Sequence, residues 1–112
     1  MNNSYLEGLK GETLALNHLK KQGYKIIKTR FLSPHGEIDI IARDEGLLCF
    51  IEVKYRKNAR LGEALELYNK QKNKHILAAV KHYFSLNKSE KFRIDLIEIT
   101  RAGIWHIKDL EH

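Results

Sequence analysis

The chain's pattern predicts an α/β domain, a mixed β-sheet flanked by two helices in the order α-β-β-β-α-β-β, and three observations carry that prediction. Two stretches repeat apolar residues every three or four positions, the spacing of a helix with one apolar stripe. Five shorter stretches are rich in β-branched and aromatic residues and are bounded by turn residues. One of them, Leu47-Leu48-Cys49-Phe50-Ile51, is apolar without interruption. That run implies burial on both faces of a central strand, and so helices on each side of the sheet. Two helices are too few for a doubly wound sheet of alternating units and too many for a sandwich.

Residues 4 to 22 place Leu6, Leu9, Leu16 and Leu19 at helical spacing, with Ser4 expected to cap the helix and Gly23 to end it. Tyr24 to Phe31 forms the first strand around Ile26 and Ile27, closed by the turn Ser33-Pro34-His35-Gly36. Glu37 to Arg43 and Leu47 to Tyr55 make a hairpin across Asp44-Glu45-Gly46. The basic segment Arg56 to Leu61 reads as a mobile loop. Glu63 to Leu86 carries Leu65, Tyr68, Ile76, Ala79, Val80, Tyr83 and Phe84 at spacings of three and four, which predicts one long second helix. Lys91 to Thr100 and Ile104 to Lys108 form a closing hairpin across Arg101-Ala102-Gly103.

At 112 residues, 43% hydrophobic and 30% charged, the chain reads as one domain, residues 1–109, with a single core. Leu110-Glu111-His112 reads as the remnant of an expression tag and stays outside the functional argument. Charges interrupt every apolar stretch before membrane-spanning length, and Met1-Asn2-Asn3-Ser4 does not open a signal peptide. The single cysteine, Cys49, is expected as a buried thiol in a reducing cytoplasm. A net charge of +6 favours a polyanionic partner, nucleic acid or an anionic membrane surface.

Alternation puts Glu52 and Lys54 on one face at the end of the apolar strand, with Asp39 beside them on its hairpin partner. Burying three charged groups for no purpose would cost on the order of several kcal/mol. Two carboxylates suit a hard cation such as Mg2+, or Mn2+ in its place, which takes oxygen ligands and keeps several waters. With such a cation, phosphodiester hydrolysis becomes accessible chemistry. Lys54 can orient the attacking water or offset charge developing on phosphate. Glu12, between Leu9 and Leu16 on the first helix, is either a carboxylate of the site or a boundary residue that reaches solvent. Gln71, three residues after Tyr68, can hydrogen-bond a ligand or a metal-bound water. Arg56, Lys57, Arg60, Lys70, Lys72 and Lys74 form either a solvated face or a surface that follows a phosphate backbone without reading sequence. The six histidines lack zinc-site spacing, and neither a glycine-rich phosphate loop nor a nucleophile elbow is present. Trp105 reads as core or sheet surface.

Gly11-Glu12 with Ala15, Gly23-Tyr24, Gly36-Glu37-Ile38-Asp39-Ile40-Ile41-Ala42 and Phe50-Ile51-Glu52-Val53-Lys54-Tyr55-Arg56 match the blocks of the YraN-like family of small bacterial proteins. Gly62, Lys70-Gln71 and Arg93-Ile94-Asp95 also fall where that family's pattern has them. Over nearly its whole length the chain resembles this family, and through it the Holliday junction resolvases of the PD-(D/E)xK superfamily. The resemblance implies a restriction-endonuclease-like fold, with Asp39 and Glu52 as metal ligands and Lys54 as the catalytic lysine. It implies Glu12 as the helix acid and Gln71 or Lys70 as the accessory helix residue. Ile38 stands where the superfamily's name puts a proline. Asp95 has no role that its chemistry assigns, a strand cap or salt bridge being as open as catalysis. Three functions follow. The first is a metal-dependent endonuclease acting on branched or structured DNA, for which a two-fold junction invites a homodimer. The second is a non-cleaving nucleic-acid-binding accessory factor in recombination, repair or uptake. The third is a scaffold for protein partners.

Overall fold

The computed structural model describes residues 3–71 and 74–110, apart from the side chains of residues 3–7, 70 and 71. The elements are α1 (Asn3–Lys21), β1 (Lys25–Ser33), β2 (Gly36–Asp44), β3 (Leu47–Tyr55), α2 (Glu63–Gln71), α3 (Lys74–Leu86), β4 (Phe92–Thr100) and β5 (Gly103–Ile107). The strands form one sheet in the order β1-β2-β3-β4-β5. Neighbours are antiparallel except β3 and β4, which run parallel because α2 and α3 carry the chain back across one face. The expected mixed sheet with helices on both faces is therefore present.

The stretch expected as the second helix is helical over Glu63–Gln71 and again over Lys74–Leu86, residues 72 and 73 lying outside the described residues. Ser4, expected as a cap, instead falls within α1. The other end follows expectation: Gly23 N–H donates to the Lys20 carbonyl and Tyr24 N–H to the Leu19 carbonyl, the paired bonds that end a helix at glycine.

Two apolar layers sandwich the sheet. Ala15 and Leu19 of α1 pack on Ile40, Cys49, Ile51 and Ile97, while Ile76, Val80 and Tyr83 of α3 pack on Ile41, Leu48, Phe50 and Ile94. The central strand β3 thus gives alternate residues to opposite cores, as its unbroken apolar run requires. Cys49 is buried, and burial pushes its thiol up to about 11.

Asp95 is fully buried and has a structural role. Arg93 donates to both its carboxylate oxygens, His106 Nε2 lies 2.8 Å from Oδ2, and Asp109 N–H donates to Oδ1. Arg93 also reaches Asp44 and the Tyr24 hydroxyl, so one ion-pair network ties β4 to the β2–β3 hairpin, to β5 and to the end of α1. Burial opposes ionisation of Asp95, yet the bonds from His106 and Arg93 prevail and hold its carboxyl below the usual range. The segment read as a mobile loop is anchored too: Arg56 N–H donates to the Ile99 carbonyl, and the Lys57 carbonyl accepts from Arg101 N–H. Leu110, the first of the three residues set aside as a tag remnant, donates its N–H to the Ile94 carbonyl and packs on the core. Glu111 and His112 lie outside the described residues.

Gly11 sets how closely α1 approaches the sheet, since a Cβ there would lie 2.6 Å from the Tyr55 Cβ. Gly11→Ala should therefore lower stability by about 1–3 kcal/mol despite alanine's better helix propensity. Gly8→Ala, with nothing within 4 Å, should raise it by up to about 1 kcal/mol. Urea unfolding of the two variants reads this directly, and equal effects at both positions would contradict it.

Candidate active site

Strand β2 turns over at Asp39. In a regular strand residues i and i+2 share a face, yet Ile38 packs in the core under α3 and Ile40 in the core under α1. The β2–β3 ladder stops at the same point, while that of β1 and β2 runs on to Ser33 with Gly36. Pairing between β2 and β3 ends at Ile40 with Ile51, and on the other side Arg30, which faces Asp39, takes a left-handed φ of 53°. Val53 N–H, freed from the ladder, donates to Asp39 Oδ2 at 2.8 Å. A side-chain carboxylate thus replaces a backbone carbonyl as the partner of β3 and is fixed in place by it.

An opening lies on each side of the sheet near this parting, and the two have no lining residue in common. On the α1 side a cleft of about 370 Å³ is lined by Gly8, Leu9, Glu12, Arg30, Glu37, Asp39 and Val53. On the α2 side a cavity of about 70 Å³ is lined by Glu52, Lys54, Arg56, Ala64, Leu67, Tyr68 and Leu96. Asp39 and Glu52, on adjoining strands, feel each other's charge, and Lys54 and Glu37 act on both.

The electrostatics of the pair is that of two carboxylates short of compensation. Burial raises the carboxyl of Asp39, against the opposing pull of Val53 N–H and Lys54. Burial, with the Asp39 charge beside it, pushes the carboxyl of Glu52 up to about 7. Glu52 Oε1 is buried and accepts no hydrogen bond. Among the described residues, no three His, Cys, Asp or Glu side chains form a ready-made metal cluster.

The remaining candidates divide. Glu12 lines the α1-side cleft at 17% side-chain exposure, with Arg30 Nε bonded to its Oε2 at 2.9 Å. Arg56 lines the cavity, Lys57 and Lys74 are exposed, and Arg60 is held by Glu66 at 3.0 Å. The side chains of Lys70 and Gln71, and the whole of Lys72, lie outside the described residues. Trp105 lies on the edge strand β5, partly exposed, opposite Glu98.

Two residues of the site were absent from the sequence reading. Glu37 shares the cleft with Asp39 and acts on both carboxylates, and the signal for it was its place two residues before Asp39. Glu98 stands beside Lys54 in the parallel register of β3 and β4 and is only 2% exposed. Its Oε2 accepts from Gly62 N–H and Ala64 N–H, anchoring the start of α2 beside the cavity, and its Oε1 is buried without a partner. Its signal was a lone acid in the run Leu96-Ile97-Glu98-Ile99.

A folded-state value near 7 for Glu52, against its ordinary 4.5, means that the folded chain holds a proton that the unfolded chain releases over that interval. Stability contributed by this group is therefore present below about pH 4.5, falls as pH rises to about 7, and is level above. Glu52→Gln should be more stable than the parent at pH 8 by roughly 1–3 kcal/mol, with the gap closing at pH 5. Denaturant unfolding without divalent cation at both pH values checks this, and parallel pH profiles for the two proteins would contradict it.

Comparison with known proteins gives the family. Residues 11–99 match the model of the uncharacterised protein family UPF0102. A UPF0102 protein of Lachnoclostridium phytofermentans is 39% identical over 110 residues, covering 96% of this chain and 93% of the relative. One of Campylobacter jejuni strain 81-176 is 44% identical over 95 residues, covering 84% and 83%. One of Persephonella marina is 33% identical over 108 residues, covering 95% and 93%. The matched span runs from Gly11 at the α1–β3 contact to Ile99 of β4 and includes Glu12, Glu37, Asp39, Glu52, Lys54 and Glu98; the chain belongs to the UPF0102, or YraN-like, family.

Proposed function

We propose that the protein is a divalent-metal-dependent endonuclease that hydrolyses phosphodiester bonds in branched or structured DNA. The observation that carries this reading is the buried, unpartnered Oε1 of Glu52 beside Asp39, where burial raises both carboxyls. Such a pair is stabilised by a hard cation, which takes oxygen ligands and favours the ionised form of each acid. Asp39 and Glu52 would hold Mg2+ or Mn2+. When bound, the ion supplies Lewis-acid polarisation of the phosphate and a more acidic water.

The chain's own groups do the rest. Val53 N–H fixes the orientation of Asp39. Lys54 extends past Glu52 on the same face of β3 to an exposed position, where its ammonium offsets charge developing on phosphate. Glu98 anchors the start of α2 against β4, so that Ala64, Leu67 and Tyr68 stay as the wall of the cavity. Glu12, Glu37 and Asp39 in the α1-side cleft, with Glu52 in the α2-side cavity, repel phosphate without a cation, which ties substrate approach to metal loading. Arg56, Lys57 and Lys74, exposed, contact backbone phosphates and select shape more than sequence.

No described helix is long and apolar enough to cross a membrane. In this reading the protein works in the cytoplasm, where Cys49 stays reduced, and a pair of copies meets the two halves of a two-fold junction.

Incubation of the purified protein with four-way-junction, single-stranded and duplex DNA, with Mg2+, Mn2+ or chelator, tests the proposal. Cleavage is expected with either metal and none with chelator. Lys54→Ala should slow it by about 10²–10³-fold and Asp39→Asn should remove it. Binding that weakens with salt but gives no cleavage under either metal would instead establish a non-cleaving nucleic-acid module.

A further inference from the structure

Acidic and basic residues are unevenly distributed along the chain. Residues 13–36 and 67–89 contain no aspartate or glutamate, and the second stretch carries five lysines and two histidines. The fold brings the end of the first stretch against the second: the turn between β1 and β2 lies on α3, with His75 Nδ1 3.0 Å from the His35 carbonyl and the His75 side chain against Gly36. Where they meet, His35, Ala78, Lys81, His82 and Ser85 line an open groove of about 420 Å³. Positions 78, 81, 82 and 85 recur at helical spacing, so they form one face of α3, and the exposed Lys74 lies one turn before Ala78 on that face. Small side chains at 78 and 85 leave the middle of the groove low, with Lys81 between them. The His82 ring is held against Phe31, centroids 5.9 Å apart, so this wall is fixed.

We propose that this groove is a seat for the phosphate backbone of duplex DNA, leading a substrate arm from α3 toward the acidic parting of β2 and β3. The groove is concave, basic and lined by no acid, which is the complement of a polyanionic backbone. Its position supports the same partner. His35 is four residues from Asp39 along β2, no more than about 13 Å at strand rise, so a duplex seated in the groove reaches the candidate active site. The inference rests on the proposed reading of nucleic acid as substrate, and it adds a binding path of His35, Lys81, His82 and Ser85 to the residues around the cavity.

Fluorescence anisotropy with a labelled duplex in chelator, so that cleavage does not enter, tests the groove. Lys81→Glu should weaken binding by about tenfold and lower the slope of log affinity against log salt by about one. Lys20→Glu, an equal change of charge on the exposed surface of α1, should move both far less. Ser85→Glu gives a second variant within the groove, with circular dichroism of each confirming the fold. Equal losses for Lys81→Glu and Lys20→Glu would overturn the proposal, leaving net charge as the sole cause. Duplex-independent capture of anionic phospholipid vesicles through Lys81 would overturn it as well. Groove-dependent binding without cleavage under any metal would sink the nuclease reading and keep this one; cleavage with binding indifferent to Lys81 would do the reverse.

Discussion

The candidate site depends on one substitution of hydrogen-bond partner: Val53 N–H goes to the Asp39 carboxylate and not to a carbonyl of β2. A buried amide needs an acceptor, so β2 and β3 can separate at this point only because a side chain supplies one. Once they separate, β2 reverses the faces it presents, sending Ile38 to one core and Ile40 to the other. Asp39, at the reversal, lines the opening on the α1 side, while Glu52 and Lys54 line the one on the α2 side. The left-handed backbone of Arg30 across from it accommodates the reversal at a cost of about 1–2 kcal/mol. Arg30 also holds Glu12 of α1 at the cleft.

The chain buries carboxylates in two ways, and the contrast separates structure from function. Asp95 receives bonds from Arg93, His106 and the Asp109 amide, and its carboxyl lies below the usual range. Glu52 is half-buried, with one buried and unpartnered oxygen, another carboxylate nearby and a value near 7. A domain with a total stability of about 5–15 kcal/mol can keep the first arrangement for its own sake, because the network joins four elements. The second is destabilising in isolation, and becomes favourable only when positive charge arrives. Glu98 lies between the two cases, with one oxygen spent on the start of α2 and the other unpartnered beside the register position of Lys54.

What the sequence made legible was set by periodicity. The burial of β3 followed from its unbroken apolar run, and Glu52 and Lys54 sharing a face followed from alternation. The helical stretches Glu63–Gln71 and Lys74–Leu86 followed from apolar residues at spacings of three and four. Alternation could not reveal the reversal at Asp39, because that is a departure from alternation enforced by a bond from another strand. Asp95 gave no role from its neighbours in sequence because most of its partners, His106 and Asp109 among them, come from beyond its own strand.

The segregation of charge follows from the same geometry. Four acids gathered at one parting would repel a phosphate backbone at any distance shorter than the Debye length, about 8–10 Å at ordinary ionic strength. A protein with such a centre can hold a polyanion only if basic surface lies just beyond that range on the approach path. In the proposed reading His35 and α3, from the acid-free stretches, supply it on one flank, and the exposed Arg56 and Lys57 on the other. The net charge of +6 alone would attract nucleic acid to any part of the surface. In the proposed reading, an acid-free flank at α3 beside the acids at Asp39 and Glu52 turns a general attraction into an oriented one.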